Sequence, residues 1–164
     1  MIKIAIFASG SGSNAENIAN YFAESNTVSI PLIISNKKDA YVHERAKKLG
    51  IQSVTFSKNE FETSDNVLDC LKENKIDFIV LAGFLLKVPH NILEAYPGKI
   101  VNIHPALLPK FGGKGMYGDN VHKAVVEAGE AESGITIHYV NENYDEGAII
   151  FQAKCPVLKS DTYE

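Results

Sequence analysis

Two apolar patterns alternate along this chain. Residues 2–8 (IKIAIFA) and 76–82 (IDFIVLA) are nearly continuous apolar runs, as expected of strands buried on both faces. Between such runs lie segments with helical spacing, for example 14–23, where Ile18, Ala19, Tyr21 and Phe22 recur on one side. Extended along the chain, the pattern predicts strands over 2–8, 29–35, 51–56, 76–82, 99–104, 135–140 and 148–156. It predicts helices over 14–23, 40–49, 60–74, 89–96 and 122–128, the second stopped by Gly50. Strands alternating with helices imply an α/β fold with a doubly wound, mostly parallel sheet of about seven strands. The last two strands are joined by the polar loop 141–147 with no helix between them. An antiparallel hairpin follows, so the C-terminal portion of the sheet is antiparallel.

One strand end carries chemistry. Asn102 and His104 sit two apart on the fifth strand, so their side chains share a face while Ile103 points the other way. Pro105 follows at once and keeps His104 out of the helical region. An amide and a titratable ring therefore project together beyond the carboxyl end of a strand, where open α/β sheets bind ligands. Asp145, in the loop Asn143-Tyr144-Asp145-Glu146-Gly147, is a third candidate, and equally a turn residue before Gly147. An amide donor and an imidazolium stabilise oxygen charge in acyl transfer, and a nearby carboxylate favours the protonated ring. No serine or cysteine stands beside His104 as a nucleophile, which favours direct transfer over an acyl-enzyme.

The first strand runs into Ser9-Gly10-Ser11-Gly12-Ser13-Asn14-Ala15. Gly10, Gly12 and Ala15 match the G-x-G-x-x-A dinucleotide fingerprint. That fingerprint also needs an acid at the end of the second strand, and here the strand ends in Ser35-Asn36-Lys37. The mismatch disfavours a dinucleotide. The loop still suits a phosphate, because Gly12, Ser13 and Asn14 can turn amide hydrogens toward an anion at a helix N-terminus. The plainer reading is a tight turn with Ser13 or Asn14 as N-cap.

Composition narrows the partners. The chain has 164 residues, a length that fits one domain with its own core, and a net charge of −4 argues against a general nucleic-acid or membrane-surface binder. Its two cysteines, Cys70 and Cys155, lie far apart without metal-ligand spacing, as in reduced cytoplasmic proteins. No run approaches the ~20 apolar residues of a membrane helix, and the short N-terminal apolar run leads into the glycine loop, so it reads as a strand and not a signal peptide. The basic positions Lys37, Lys38, Arg45, Lys47 and Lys48 read as a solvated helix face rather than an RNA surface.

Taken together, the loop Gly10 to Asn14, the segment Leu81-Ala82-Gly83-Phe84, the run Asn102 to Pro109 and the Asp145-Glu146-Gly147 loop resemble the folate-dependent phosphoribosylglycinamide formyltransferases of the formyltransferase superfamily. The resemblance covers nearly the whole chain and implies a Rossmann-like fold. It implies formyl transfer from 10-formyltetrahydrofolate, as co-substrate and without a metal, to the amine of glycinamide ribonucleotide in de novo purine synthesis. Carried over by position, Gly12, Ser13 and Asn14 hold the substrate phosphate. Asn102 is the oxyanion stabiliser, His104 the proton donor, and Asp145 raises the pKa of His104. Folate contacts fall on Lys58, Leu85, Leu86, Lys87, Val88 and Asn102, and a lid on residues 110–118. Nucleic-acid and membrane partners are not implied; a homodimer is compatible with the resemblance.

This chain departs from that pattern in places. Many members have Met-Arg where Leu85-Leu86 stand, with Lys87 next door as a remaining charge. Members usually continue with a C-terminal helix, so 1–164 is expected to be a single formyltransferase domain lacking that helix, with Lys159-Ser160-Asp161-Thr162 reading as its cap. Formyltetrahydrofolate hydrolase, methionyl-tRNA formyltransferase, a dinucleotide-dependent Rossmann protein and a silent nucleotide-binding module are the competing readings. His138, Tyr139 and Tyr144 read either as folate-pocket residues or as ordinary half-buried ones.

Overall fold

The computed structural model describes residues 1–164, with seven strands and six helices. The strand order in the sheet is β3-β2-β1-β4-β5-β6-β7. The chain divides into two compact units, Met1–Ile100 and Val101–Glu164.

In the first unit, β1 (Ile2–Phe7), β2 (Val28–Ser35), β3 (Gln52–Thr55) and β4 (Phe78–Ala82) form the parallel part of the sheet. Phe7 lies opposite Ile34 on one side and Leu81 on the other. Ala5, Ile6, Phe7, Leu32, Ile33, Ile34 and Ile79 are wholly buried, as the unbroken apolar runs require of strands covered on both faces. The helices are α1 (Ser13–Tyr21), α2 (Val42–Leu49), α3 (Lys58–Thr63), α4 (Asn66–Glu73) and α5 (His90–Ala95). Gly50 ends α2 in the left-handed conformation, as the sequence predicts.

The single helix predicted over 60–74 is two helices. Ser57 opens α3 through a capping box with Glu60. Ser64 then adopts an extended backbone and its hydroxyl donates to the Glu60 carbonyl at 2.7 Å, which closes α3 before α4 begins. The break lets α3 turn Phe61 inward. Its ring lies 5.9 Å from Phe7, 5.2 Å from Phe84 and 6.3 Å from Phe56, mostly edge-on.

In the second unit, β5 (Ile100–His104), β6 (Glu132–Tyr139) and β7 (Ile149–Pro156) pair antiparallel, as predicted. Strand β6 begins three residues earlier than the apolar run suggests. His104 lies opposite Thr136, and Asn102 opposite His138. Burial along β6 inverts the usual pattern: Thr136 and His138 are buried, whereas Ile135 and Tyr139 are exposed. Helix α6 (Asp119–Glu127) packs Val121 and Val125 around Ala106, with Phe111, Met116 and Val157 at the edge. The segment after β7 holds a turn in which the Asp161 carboxylate accepts the Leu158 N–H at 2.8 Å. No helix is long and apolar enough to cross a membrane.

Phe61 is 1% exposed, so Phe61→Ala should destabilise by about 3–5 kcal/mol, the usual cost of truncating a buried aromatic. Urea unfolding measures this; a loss under about 1 kcal/mol would place α3 outside the cooperative core.

Candidate active site

The glycine loop of the first unit is built around Ser9, which is 2% exposed. Its N–H donates to the Gly83 carbonyl at 3.0 Å. Its hydroxyl donates to Asn36 Oδ1 at 2.5 Å and accepts the Leu85 N–H at 2.9 Å. One buried hydroxyl thus joins the ends of β1, β2 and β4, and with them the glycine loop and the 85–88 segment. Asn36, where a dinucleotide fold would want an acid, is committed to Ser9. Gly12 has φ 76°, and a Cβ there would sit 2.4 Å from Val42 Cγ2, so neither its conformation nor its space admits a side chain.

Gly12 is itself the N-cap of α1, and no side chain caps the helix. Ser13 and Asn14 are not caps, contrary to the tight-turn reading. They lie exposed in the first turn, whose amides have no intrahelical acceptor. Helix α2 holds the loop from behind. The Val42 N–H donates to the Gly10 carbonyl at 3.1 Å, and Arg45 Nε to the Ser11 carbonyl at 2.8 Å. Arg45 also pairs with Glu16. Arg45 is therefore not part of a merely solvated face, as its neighbours in sequence suggest.

In the second unit, His104 ends β5 with its side chain 4% exposed. Its Nε2 lies 2.8 Å from the Phe111 carbonyl. A carbonyl can only accept, so Nε2 carries a proton. Its Nδ1 lies 3.5 Å from Asp145 Oδ1. The same Oδ1 is 3.5 Å from His138 Nε2, and Asp145 Oδ2 accepts the Gly113 N–H at 2.9 Å. Asn102 Nδ2 lies 3.1 Å from His138 Nε2, and His138 Nδ1 donates to the Tyr139 carbonyl at 2.8 Å. Asp145 and Phe111 both hold φ 55°, a left-handed backbone that re-aims the carboxylate and the carbonyl at the ring.

Thr136, buried beside this cluster, is fully committed. Its hydroxyl donates to the Ala106 carbonyl at 2.6 Å and accepts the Leu108 N–H at 3.0 Å and Gln152 Nε2 at 2.9 Å. This pins the Pro105 to Pro109 turn to β6 and leaves the hydroxyl no freedom to act as a nucleophile.

The electrostatics follow from shared burial. Burial alone would raise the Asp145 pKa. The His138 hydrogen bond, the Gly113 N–H and the charges of His104 and His138 outweigh it and hold the carboxyl below its usual range. Burial likewise disfavours a charged His138, yet the Asp145 carboxylate and the Tyr139 carbonyl push its pKa above the ordinary imidazole value.

The structure thus brings Asn102, His104 and Asp145 together, and adds His138 as the ring between Asn102 and the carboxylate. It brings Gly12 to Asn14 and Leu85 together through Ser9. Leu85 and Leu86 are partly buried, Lys87 is exposed and Val88 is buried, in the loop that follows β4. Lys58 is exposed on α3, 3.6 Å from Glu62, and α3 packs through Phe61 against Phe84 just before the 85–88 segment. Ser9 was legible only as one more loop serine, and His138 either as a folate-pocket residue or as an ordinary half-buried one, not as the bridge it forms. Their roles depend on partners 27 and 36 residues away.

The sequence matches the formyl transferase family over residues 2–164. It is similar to the chloroplastic phosphoribosylglycinamide formyltransferase of Arabidopsis thaliana, with 44% identity over 168 residues covering 99% of this chain and 58% of that protein. The corresponding protein of Vigna unguiculata is 40% identical, covering 99% and 54%. The chain therefore spans little more than half the length of these two relatives. Among solved structures, glycinamide ribonucleotide transformylase 1 from Symbiobacterium toebii superposes with a TM-score of 0.90 at 34% identity, covering 99% of this chain and 77% of that one.

The paired shifts set a pH window for stability. Asp145, lowered on folding, contributes in full above its unfolded value of about 3.8 and loses that contribution as pH falls through the folded value. His138, raised on folding, contributes in full below about 6.5 and loses it as pH rises through the folded value. The cluster should stabilise most between about pH 3.8 and 6.5. Thermal unfolding against pH should show both limbs weakened in Asp145→Asn. Unchanged limbs in that variant would assign the pH dependence to other groups.

Proposed function

The chain belongs to the formyl transferase family, and we propose that it transfers a formyl group from 10-formyltetrahydrofolate to the amine of glycinamide ribonucleotide, in purine synthesis. The observation that carries this reading is the buried His104–Asp145 contact with Asn102 on the same strand. In the proposed reaction the amine nitrogen attacks the formyl carbon and a C–N bond forms. The carbonyl oxygen gains negative charge, which the Asn102 amide and the His104 ring are suited to stabilise. The carbonyl then re-forms as the bond from that carbon to the folate nitrogen breaks, the folate nitrogen takes a proton from His104, and the proton shed by the amine restores the ring. Asp145 favours the charged ring through its carboxylate.

The Phe111 carbonyl accepts the Nε2 proton of His104 in this structure. For that proton to reach a substrate, the segment carrying Phe111 must first release it. We assign the ribonucleotide phosphate to the first-turn amides and side chains of Gly12, Ser13 and Asn14, which point no capping bond back at the helix. The folate is assigned to the 85–88 loop, and Lys58 to its acidic tail. The proposal treats 1–164 as one catalytic domain acting on two small molecules in the cytoplasm.

The test is a formyl-transfer assay that follows tetrahydrofolate release with and without the ribonucleotide. Release that depends on the ribonucleotide supports the transferase, and release without it identifies a hydrolase. His104→Ala should lower kcat by about 10²–10³ with the KM for the ribonucleotide little changed, whereas near-normal turnover removes His104 from the chemistry. Asn14→Ala should raise the KM for the ribonucleotide and leave the folate KM unchanged. Equal KM values in the variant and the parent would reduce the loop to a turn.

A further inference from the structure

We propose that His138 is a positioning residue whose protonation decides which end of the Asn102 amide faces the reacting group. The functional half of this statement rests on the formyl-transfer reading; the coupling between the two side chains does not.

One ring atom of His138 keeps the same state throughout. His138 Nδ1 faces the Tyr139 carbonyl at 2.8 Å, and a carbonyl only accepts, so Nδ1 keeps its proton in both charge states. All titration therefore occurs at Nε2. That atom has two neighbours of opposite character: Asn102 Nδ2 at 3.1 Å, a donor, and Asp145 Oδ1 at 3.5 Å, an acceptor.

In the neutral ring, Nε2 offers a lone pair. Asn102 donates to it, and the amide is held with its nitrogen toward His138, as in this structure. In the charged ring, Nε2 carries a hydrogen. An N–H cannot face an N–H, so the amide turns by half a revolution and presents Oδ1 to the ring, while Nε2 also faces Asp145. Its NH2 group then points away from His138. That is the orientation in which Asn102 donates to a developing oxyanion.

Burial makes the choice binding. His138 is 2% exposed, so water offers Nε2 little alternative partner. The groups facing the ring are Asn102 from β5, Asp145 from the 141–147 loop, and Ile149 of β7 opposite in register, which is not titratable. His104 enters through the shared oxygen, since its Nδ1 lies 3.5 Å from the same Asp145 Oδ1. The two histidines thus share one carboxylate oxygen. The raised pKa of His138, held up against burial by the Asp145 carboxylate and the Tyr139 carbonyl, favours the charged ring and so the outward amide.

The test follows the side-chain amide of Asn102 by NMR in the ligand-free protein from pH 5 to 9, alongside long-range proton–nitrogen spectra of the imidazoles. The expected result is an Asn102 NH2 signal that titrates with the His138 ring, with Nε2 gaining its hydrogen and Nδ1 protonated throughout. In His138→Gln the Asn102 signal should lose its pH dependence. An Asn102 signal flat in the wild type, or one that still titrates in the variant, overturns the proposal. Should His138→Gln not fold, the wild-type ring spectra decide alone: a neutral ring with its hydrogen on Nε2 overturns the proposal. Because these readings need no substrate, absent turnover would count against formyl transfer and not against the amide switch. With turnover, the alkaline fall in kcat should flatten in His138→Gln with both KM values within about twofold of the parent; an unchanged kcat profile would remove the switch from catalysis.

Discussion

The carboxylate of Asp145 is the constraint on which the second unit's chemistry depends. A buried charge is costly unless it is paired and hydrogen-bonded. Asp145, 11% exposed, meets that demand with two imidazoles and one backbone amide. Each partner comes from a different segment: His104 from β5, His138 from β6 and Gly113 from the loop before α6. Satisfying one carboxylate therefore fixes three segments against each other. It also explains why β6 buries His138, while Thr136 on the same face is buried to answer the Ala106 carbonyl and the Leu108 N–H. The strand turns its polar positions inward because the groups they must satisfy lie there. Local pattern and burial disagree at this point, as they tend to at functional sites.

The first unit solves a comparable problem with a neutral group. Ser9 lies where β1 ends, and its hydroxyl both donates and accepts, to Asn36 and from Leu85. A carboxylate there would accept from Leu85 but repel the Asn36 oxygen. An apolar side chain would leave both partners unsatisfied at about 1–3 kcal/mol each. The glycine loop is then held from its other side by Arg45 on the Ser11 carbonyl. Arg45 also neutralises Glu16 in the first turn of α1, so that the negative side chain nearest the proposed phosphate is already paired.

The strand and helix order was legible in the sequence because strands buried on both faces leave unbroken apolar runs, and β1 and β4 have them. Asn102 and His104 were legible because spacing along a strand fixes a shared face, and the structure keeps them at the end of β5. The split between α3 and α4 was written as Ser57-x-x-Glu60, a capping box, and as Ser64 closing back on Glu60. An apolar periodicity that continues across the break hides such polar signals. Ser9 was not legible as a site residue, and His138 was legible only as one of two open readings, pocket residue or half-buried strand residue. Nothing local distinguishes a histidine that bridges an amide and a carboxylate from one that fills a strand, since the distinction is made by contacts distant in sequence. The folate contacts carried over by position, Lys58 among them, have no comparable physical signature.

The loop after Pro109 bears on how such a site is held ready. The sequence shows a glycine-rich stretch suited to movement, yet here the stretch is engaged with the cluster. The Phe111 carbonyl accepts the Nε2–H of His104, and the Gly113 N–H donates to Asp145 Oδ2. Gly112 fits closely between them; a Cβ there would lie 2.6 Å from Leu108 Cδ2 and 3.3 Å from Asp145 Cβ. The loop thus sets an acceptor against the imidazole and a donor against the carboxylate, so neither buried group is left unpaired. The left-handed backbone of Phe111 is consistent with a segment held in place by those contacts rather than by its own preference.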